Sequence, residues 1–210
     1  MHQALEEIGR LRVIPVVSLR DAGAAHALAD ALVEGGLPCI EVTFRTDAAA
    51  DSIRTLAGRR ELLVGAGTVL TVAQARVAVE AGASFLVSPG FNPGVVRFSL
   101  DQGVPVIPGV CTPSEITSAL DAGLEVVKFF PAEAFGGLKT LKAMSAPFGM
   151  IRFIPTGGIG PSNLVEYLRF PKVLACGGTW IAPAELIERR AFAQIGLLAR
   201  EARDLAVQAR

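Results

Sequence analysis

A lysine interrupts an apolar run at Val126-Val127-Lys128-Phe129-Phe130-Pro131. The run has the length and composition of a fully buried strand. An ammonium is costly to desolvate there, so the neutral amine is favoured. A neutral lysine in a dry pocket is the nucleophile of Schiff-base chemistry on a carbonyl substrate. The same lysine also reads as a strand-end side chain that snorkels to water or pairs with a carboxylate. Few residues compete for the nucleophilic role, because the only other lysines are Lys139, Lys142 and Lys172.

Other strand-like stretches carry groups that could serve such a nucleophile. Alternation along residues 40–45 puts Glu41, Thr43 and Arg45 on one face and Ile40, Val42 and Phe44 on the other. An inward Glu and Arg could handle protons and an anionic substrate, or could form a structural pair. In Val64-Gly65-Ala66-Gly67-Thr68 the same rule groups Val64, Ala66 and Thr68, so Thr68 would donate a hydrogen bond above small side chains. A glycine turn capped by a threonine is the alternative. Pro89, in Ser88-Pro89-Gly90, could wall the site or make a turn. Glycine pairs at Gly157-Gly158 and Gly177-Gly178 lie after the seventh and eighth strands. That is where barrels of parallel strands bind phosphate through backbone N–H groups.

The elements that would position these residues recur along the chain. An apolar strand, a polar or glycine-bearing turn, a helix and a glycine stop repeat every 20 to 28 residues or so. Strands are predicted near 12–18, 40–45, 62–69, 85–89, 105–110, 126–131, 152–156 and 173–177. Eight such units make a (β/α)8 TIM barrel, here preceded by a short amphipathic helix over 2–10. Thr71 with Gln74, and Thr112 with Pro113 and Glu115, read as capping boxes. Four helices share one ending, as in Glu34-Gly35-Gly36-Leu37: an acidic residue, a glycine stop and an apolar step into the next strand. The last helix is predicted over 189–208, outside the barrel. No linker interrupts the pattern, so residues 1–210 read as a single domain.

Composition excludes several function classes. The formal charge is zero, from 20 basic and 20 acidic residues, which argues against a nucleic-acid partner. Cys39, Cys111 and Cys176 lack metal or redox spacing, and His2 and His26 leave no strand-end histidine for a metal site. Charges at Glu6, Glu7, Arg10 and Arg12 break any signal-like segment, and no run reaches membrane-spanning length. The expectation is a cytoplasmic protein with no membrane partner.

Several stretches together resemble one known family. They are Glu41-Val42-Thr43-Phe44-Arg45-Thr46, Gly65-Ala66-Gly67-Thr68-Val69-Leu70, Ser88-Pro89-Gly90, Val127-Lys128-Phe129-Phe130-Pro131-Ala132-Glu133, Pro155-Thr156-Gly157-Gly158-Ile159 and Gly177-Gly178-Thr179-Trp180. In this order, over nearly the whole chain, they resemble the 2-keto-3-deoxy-6-phosphogluconate (KDPG) aldolase and 4-hydroxy-2-oxoglutarate aldolase family. The resemblance implies a class I aldolase on a (β/α)8 barrel, without metal or cofactor, assembled as a homotrimer. Its substrate would be a phosphorylated 2-keto-3-deoxy sugar acid of the Entner-Doudoroff pathway, cleaved to pyruvate and D-glyceraldehyde 3-phosphate, with 4-hydroxy-2-oxoglutarate as a second substrate.

Carried over motif by motif, the resemblance makes Lys128 the Schiff-base lysine and Glu41 the general acid/base. Arg45 and Thr68 would hold the pyruvyl carboxylate, and Pro89 and Phe130 would pack on the pyruvyl part. Gly157, Gly158 and Thr179 would bind phosphate, Thr179 standing where many relatives have serine. Glu133 lies past Pro131 in a loop and is not expected to move protons. The alternatives are a galactonate-derived aldolase, a phosphosugar epimerase or isomerase, and a non-catalytic phosphosugar-binding barrel.

Overall fold

The computed structural model describes residues 1–209, in which parallel strands alternate with helices. In chain order these are α1 (Gln3–Leu11), β1 (Val13–Val17), α2 (Ala25–Glu34), β2 (Cys39–Thr43), α3 (Ala49–Leu56), β3 (Leu63–Gly67) and α4 (Val72–Glu80). Then come β4 (Phe85–Val87), α5 (Pro93–Asp101), β5 (Val106–Ile107), β6 (Gly109–Val110), α6 (Pro113–Asp121), β7 (Val126–Phe129) and α7 (Gly137–Ser145). The chain continues through β8 (Arg152–Pro155), α8 (Leu164–Leu168), β9 (Cys176–Gly178), α9 (Ala184–Glu188) and α10 (Phe192–Gln208). No helix of the described residues is long and apolar enough to cross a membrane.

Local signals account for the helix ends. The Thr112 hydroxyl and the Glu115 carboxylate form a reciprocal capping box at α6, with Pro113 at the first helical position. The expected box at α4 is only half made. Thr71 accepts from Gln74 N–H, but the Gln74 side chain reaches one residue further back, to Leu70 N–H. Helices α2, α4, α5 and α6 all end on the acidic residue of the repeat, Glu34, Glu80, Asp101 and Asp121. The last helix starts at Phe192, later than expected, because α9 is a separate short element.

The pairings form two curled parallel ladders, β5-β4-β3-β2-β1-β9 and β6-β7-β8, where a single closed sheet was expected. Pro108 separates β5 from β6 and so splits the strand expected over 105–110. Its carbonyl accepts from Lys128 N–H at 2.9 Å, but proline has no N–H to return. Near residues 173–177 the ladder reduces to isolated bridges, Phe153 to Val173 and Thr156 to Gly177.

Buried side chains form two clusters, one on each face of the strands. The outer one joins Ile40, Val42, Val64, Ala66, Val127 and Phe129 to helical residues such as Leu28, Leu32 and Ile53. The inner one joins Cys39, Phe85, Ile107, Val126 and Ile154 to Leu5, Ile8 and Leu11 of α1. Cys39, Phe85 and Val126 are first residues of their strands, so α1 packs over the N-terminal ends. Its three anchors each gain about 1.5–3 kcal/mol by burial.

Candidate active site

Alternation in β7 sends Val126 to the inner cluster and Val127 and Phe129 to the helices, which puts Lys128 on the inner face. The residue is 6% exposed. In β2 the same logic places Glu41 inward between Ile40 and Val42, at 2% exposure. Lys128 Nζ lies 3.9 Å from Glu41 Oε1, too long for a hydrogen bond. Glu41 Oε1 is buried and accepts from no donor among the described residues. Such an atom ordinarily costs about 1–3 kcal/mol, so it marks a place where a substrate or water donor would fit. The Lys128 amine also sits over the Phe130 ring, 4.8 Å from its centroid. No other lysine is comparable: Lys172 Nζ donates to the carbonyls of Ser145 and Phe148, and Lys142 rests 6.0 Å from the Phe170 centroid.

The inner face of β3 is not the one expected from sequence. Gly65 and Gly67 point inward, while Val64 and Ala66 face the helices. A Cβ at Gly65 would run into the Phe85 ring, and one at Gly67 would lie 2.7 Å from Glu41 Cγ. The strand is buried on both faces, so hydrophobicity does not select a face. Thr68 follows at φ +55°, which ends the alternation and removes the parity argument for it. It is half-buried at the strand end.

Arg45 is also displaced from its expected place. Strand β2 stops at Thr43, so Arg45 sits in the following turn, exposed and without an ion pair among the described residues. Thr43 Oγ1 donates to Val17 O at 2.8 Å. Pro89 and Phe130 are half-buried, each just past its strand, β4 and β7.

Gly157 and Gly158 follow β8 in left-handed conformations, φ +96° and +80°. The Gly157 carbonyl accepts from Glu133 N–H at 3.0 Å and the Gly158 carbonyl from the Asn163 side chain at 3.0 Å. Gly157 N–H faces the Gly177 carbonyl across the Thr156–Gly177 bridge, and among the described residues Gly158 N–H donates to no acceptor. This turn therefore offers the Gly158 N–H while its acceptors are taken. The second pair differs from expectation: Gly177 and Gly178 lie within β9 and pair with Ile14 and Pro15. Thr179 is the first residue beyond that strand and is exposed. The neighbouring Trp180 Nε1 is a buried donor without a partner.

Residues 5–198 match the family model described as KDPG and KHG aldolase. The chain belongs to this aldolase family. It is 51% identical to the 2-dehydro-3-deoxy-phosphogluconate aldolase of Treponema pallidum, covering 93% of this chain and 94% of that one. Two solved structures are also similar. The KDPG aldolase of Legionella pneumophila, with pyruvate captured as a covalent carbinolamine, has a TM-score of 0.91 at 39% identity. The coverage is 95% of this chain and 97% of that one. The 2-keto-3-deoxy-6-phosphogluconate aldolase of Zymomonas mobilis ZM4 with 3-phosphoglycerate has a TM-score of 0.88 at 41% identity, over 94% of each chain.

Within this aldolase chain, two features escaped the reading of sequence. Gly67 clears the space occupied by the Glu41 carboxyl, a role hidden in an ordinary glycine-rich strand. Glu133, beyond β7, accepts from the hydroxyl of Tyr167 in α8, 34 residues away. No local pattern signals that pair. Burial, and then this hydrogen bond to a carboxylate, push the Tyr167 hydroxyl far above the usual phenol range. Among the described residues no three His, Cys, Asp or Glu are grouped to hold a metal ion.

Proposed function

We propose that this chain is a class I aldolase that cleaves 2-dehydro-3-deoxy-6-phosphogluconate to pyruvate and D-glyceraldehyde 3-phosphate. The observation that carries the reading is the buried Lys128 amine facing an unpartnered Glu41 carboxylate oxygen. Lys128 Nζ adds to the C2 ketone to give a carbinolamine, and Glu41 shuttles the protons needed to expel water. The iminium then accepts electrons as Glu41 takes the C4 hydroxyl proton and the C3–C4 bond breaks. The aldehyde phosphate leaves, the enamine is protonated at C3, and water releases pyruvate and free Lys128. The covalent pyruvate adduct of the Legionella pneumophila relative supports the same chemistry here.

The remaining roles are those that the family resemblance implies. Arg45 and Thr68, beyond the ends of β2 and β3, bind the pyruvyl carboxylate. Pro89 and Phe130 flank the pyruvyl group, and the Phe130 ring beside Nζ supports this. The turn at Gly157 and Gly158, with Thr179, binds phosphate, and the unpaired Gly158 N–H supports this. We further infer one domain whose two ladders are parts of a closed (β/α)8 barrel assembled as a homotrimer. The single-residue gap at Pro108 and the bridges from β8 to Val173 and Gly177 support closure. The family description favours cleavage of 4-hydroxy-2-oxoglutarate as a second activity.

Reduction with borohydride in the presence of pyruvate tests the reading. One reduced pyruvyl adduct, mapped to Lys128 by peptide mass spectrometry, is expected. No adduct, or one on Lys139, Lys142 or Lys172, would overturn it.

A further inference from the structure

The segment after the lysine strand and the glycine turn after β8 are tied together by one side chain. Glu133 N–H donates to Gly157 O at 3.0 Å, and Ala132 N–H donates to Thr156 O at 2.9 Å. The Glu133 methylenes fill the space over Gly158, where a Cβ would come within 2.6 Å of Glu133 Cβ and Cγ. The carboxylate accepts from the hydroxyl of Tyr167, which is 1% exposed and is the chain's only tyrosine. From the other side, Asn163 at the start of α8 donates to Gly158 O and accepts from Gly160 N–H. Tyr167 lies one turn further along that helix, so Glu133 and α8 grip the turn between them. At Gly137 an added Cβ would sit 2.8 Å from Glu133 Oε1 and 3.2 Å from Tyr167 Oη, so the pair takes the space a side chain there would need.

We propose that Glu133 and Tyr167 are a positioning pair for the phosphate end of the substrate. The inference rests on the phosphate reading of the Gly157-Gly158 turn given above. The pair acts in two ways. It braces the turn, and it ties the Glu133 charge to the Tyr167 hydroxyl instead of leaving it free near a site for an anion. Without the Tyr167 hydroxyl, the carboxylate is freed beside the phosphate and the turn loses its brace. The pair thus sets preference for phosphorylated over unphosphorylated substrates, without touching the carbonyl chemistry at Lys128.

The test is steady-state kinetics of Tyr167→Phe on KDPG and on 4-hydroxy-2-oxoglutarate, which lacks the phosphate. KM for KDPG should rise roughly tenfold, as for loss of a hydrogen bond to a charged group, with kcat little changed. KM for the unphosphorylated substrate should stay within about twofold. Glu133→Ala, at an exposed residue, loses the brace without freeing a charge, so it should raise KM for KDPG by a smaller factor in the same direction even if Tyr167→Phe folds poorly. Glu133→Gln keeps an acceptor for the tyrosine and should restore the KM. Equal damage to both substrates, or an unchanged KM for KDPG, would overturn the proposal. Competition of inorganic phosphate with KDPG on the unmutated protein separates the two readings. If phosphate competes and the variants do not shift KM, only the pair is overturned. If phosphate does not compete, the phosphate site falls and the pair falls with it.

Discussion

The carboxyl of Glu41 lies in the space that a side chain on Gly67 would fill. A Cβ there would come within 2.7 Å of Glu41 Cγ and 2.8 Å of Cδ. Glu41 belongs to β2 and Gly67 to the neighbouring β3, where Gly67 pairs with Thr43. The Glu41 carboxyl thus owes its place near Lys128 to the absence of a side chain next door. Gly67→Ala should therefore push the carboxyl off its position and lower kcat for KDPG about 10- to 100-fold, the scale of an ångström's misplacement. Gly67 φ is outside the left-handed region, so alanine suits the backbone and the far-ultraviolet spectrum should be unchanged. Turnover equal to that of the unmutated protein would show that Glu41 is not positioned this way.

Glu41→Gln should lower kcat by roughly 10²- to 10⁴-fold, the usual range for removing a general acid or base. The variant should still fold and bind pyruvate. Glu133→Gln should keep most of its turnover, because its partner is Tyr167 and not the lysine. Parallel kcat measurements check both, and the reverse ranking would reassign the base.

Gly158→Val should raise KM for KDPG far more than for 4-hydroxy-2-oxoglutarate. The backbone at φ +80° disfavours a branched side chain, and the new carbons would meet Glu133. Comparing the two substrates distinguishes a lost anion site from general damage, which would affect both alike.

Exhaustive chelation should leave the aldol cleavage rate unchanged, since the proposed chemistry needs only Lys128 and Glu41. The rate before and after treatment with a strong chelator, with zinc or magnesium added back, decides the point. A loss reversed by either metal would place the protein in the other mechanistic class of aldolases.

Sequence revealed the lysine strand and the inward glutamate because each is flanked by residues of unambiguous preference. Val127 and Phe129 on one strand, and Ile40 and Val42 on the other, leave their polar neighbours a single direction. Strand β3 gave no such guide. In Val64-Gly65-Ala66-Gly67 both parities are small or apolar, and only the Phe85 ring and the Glu41 carboxyl show which face is inner. Arg45 was misplaced because a strand stops where its ladder partners stop, here at the Thr43–Gly67 pair. The Glu133–Tyr167 contact joins residues too distant along the chain for periodicity to connect them.

Helix α1 gives the chamber a floor. With Leu5, Ile8 and Leu11 seated against the first residues of the strands, a barrel closed as proposed would admit substrate from the opposite end. Traffic through a single door is last in, first out. On the proposed chemistry the ketone end would enter foremost to reach Lys128, and the phosphate end would wait nearest the exit. When the chain of carbons breaks, the half free to go would then be at the threshold, while the half behind it would stay tethered to the lysine until water follows the same path inward.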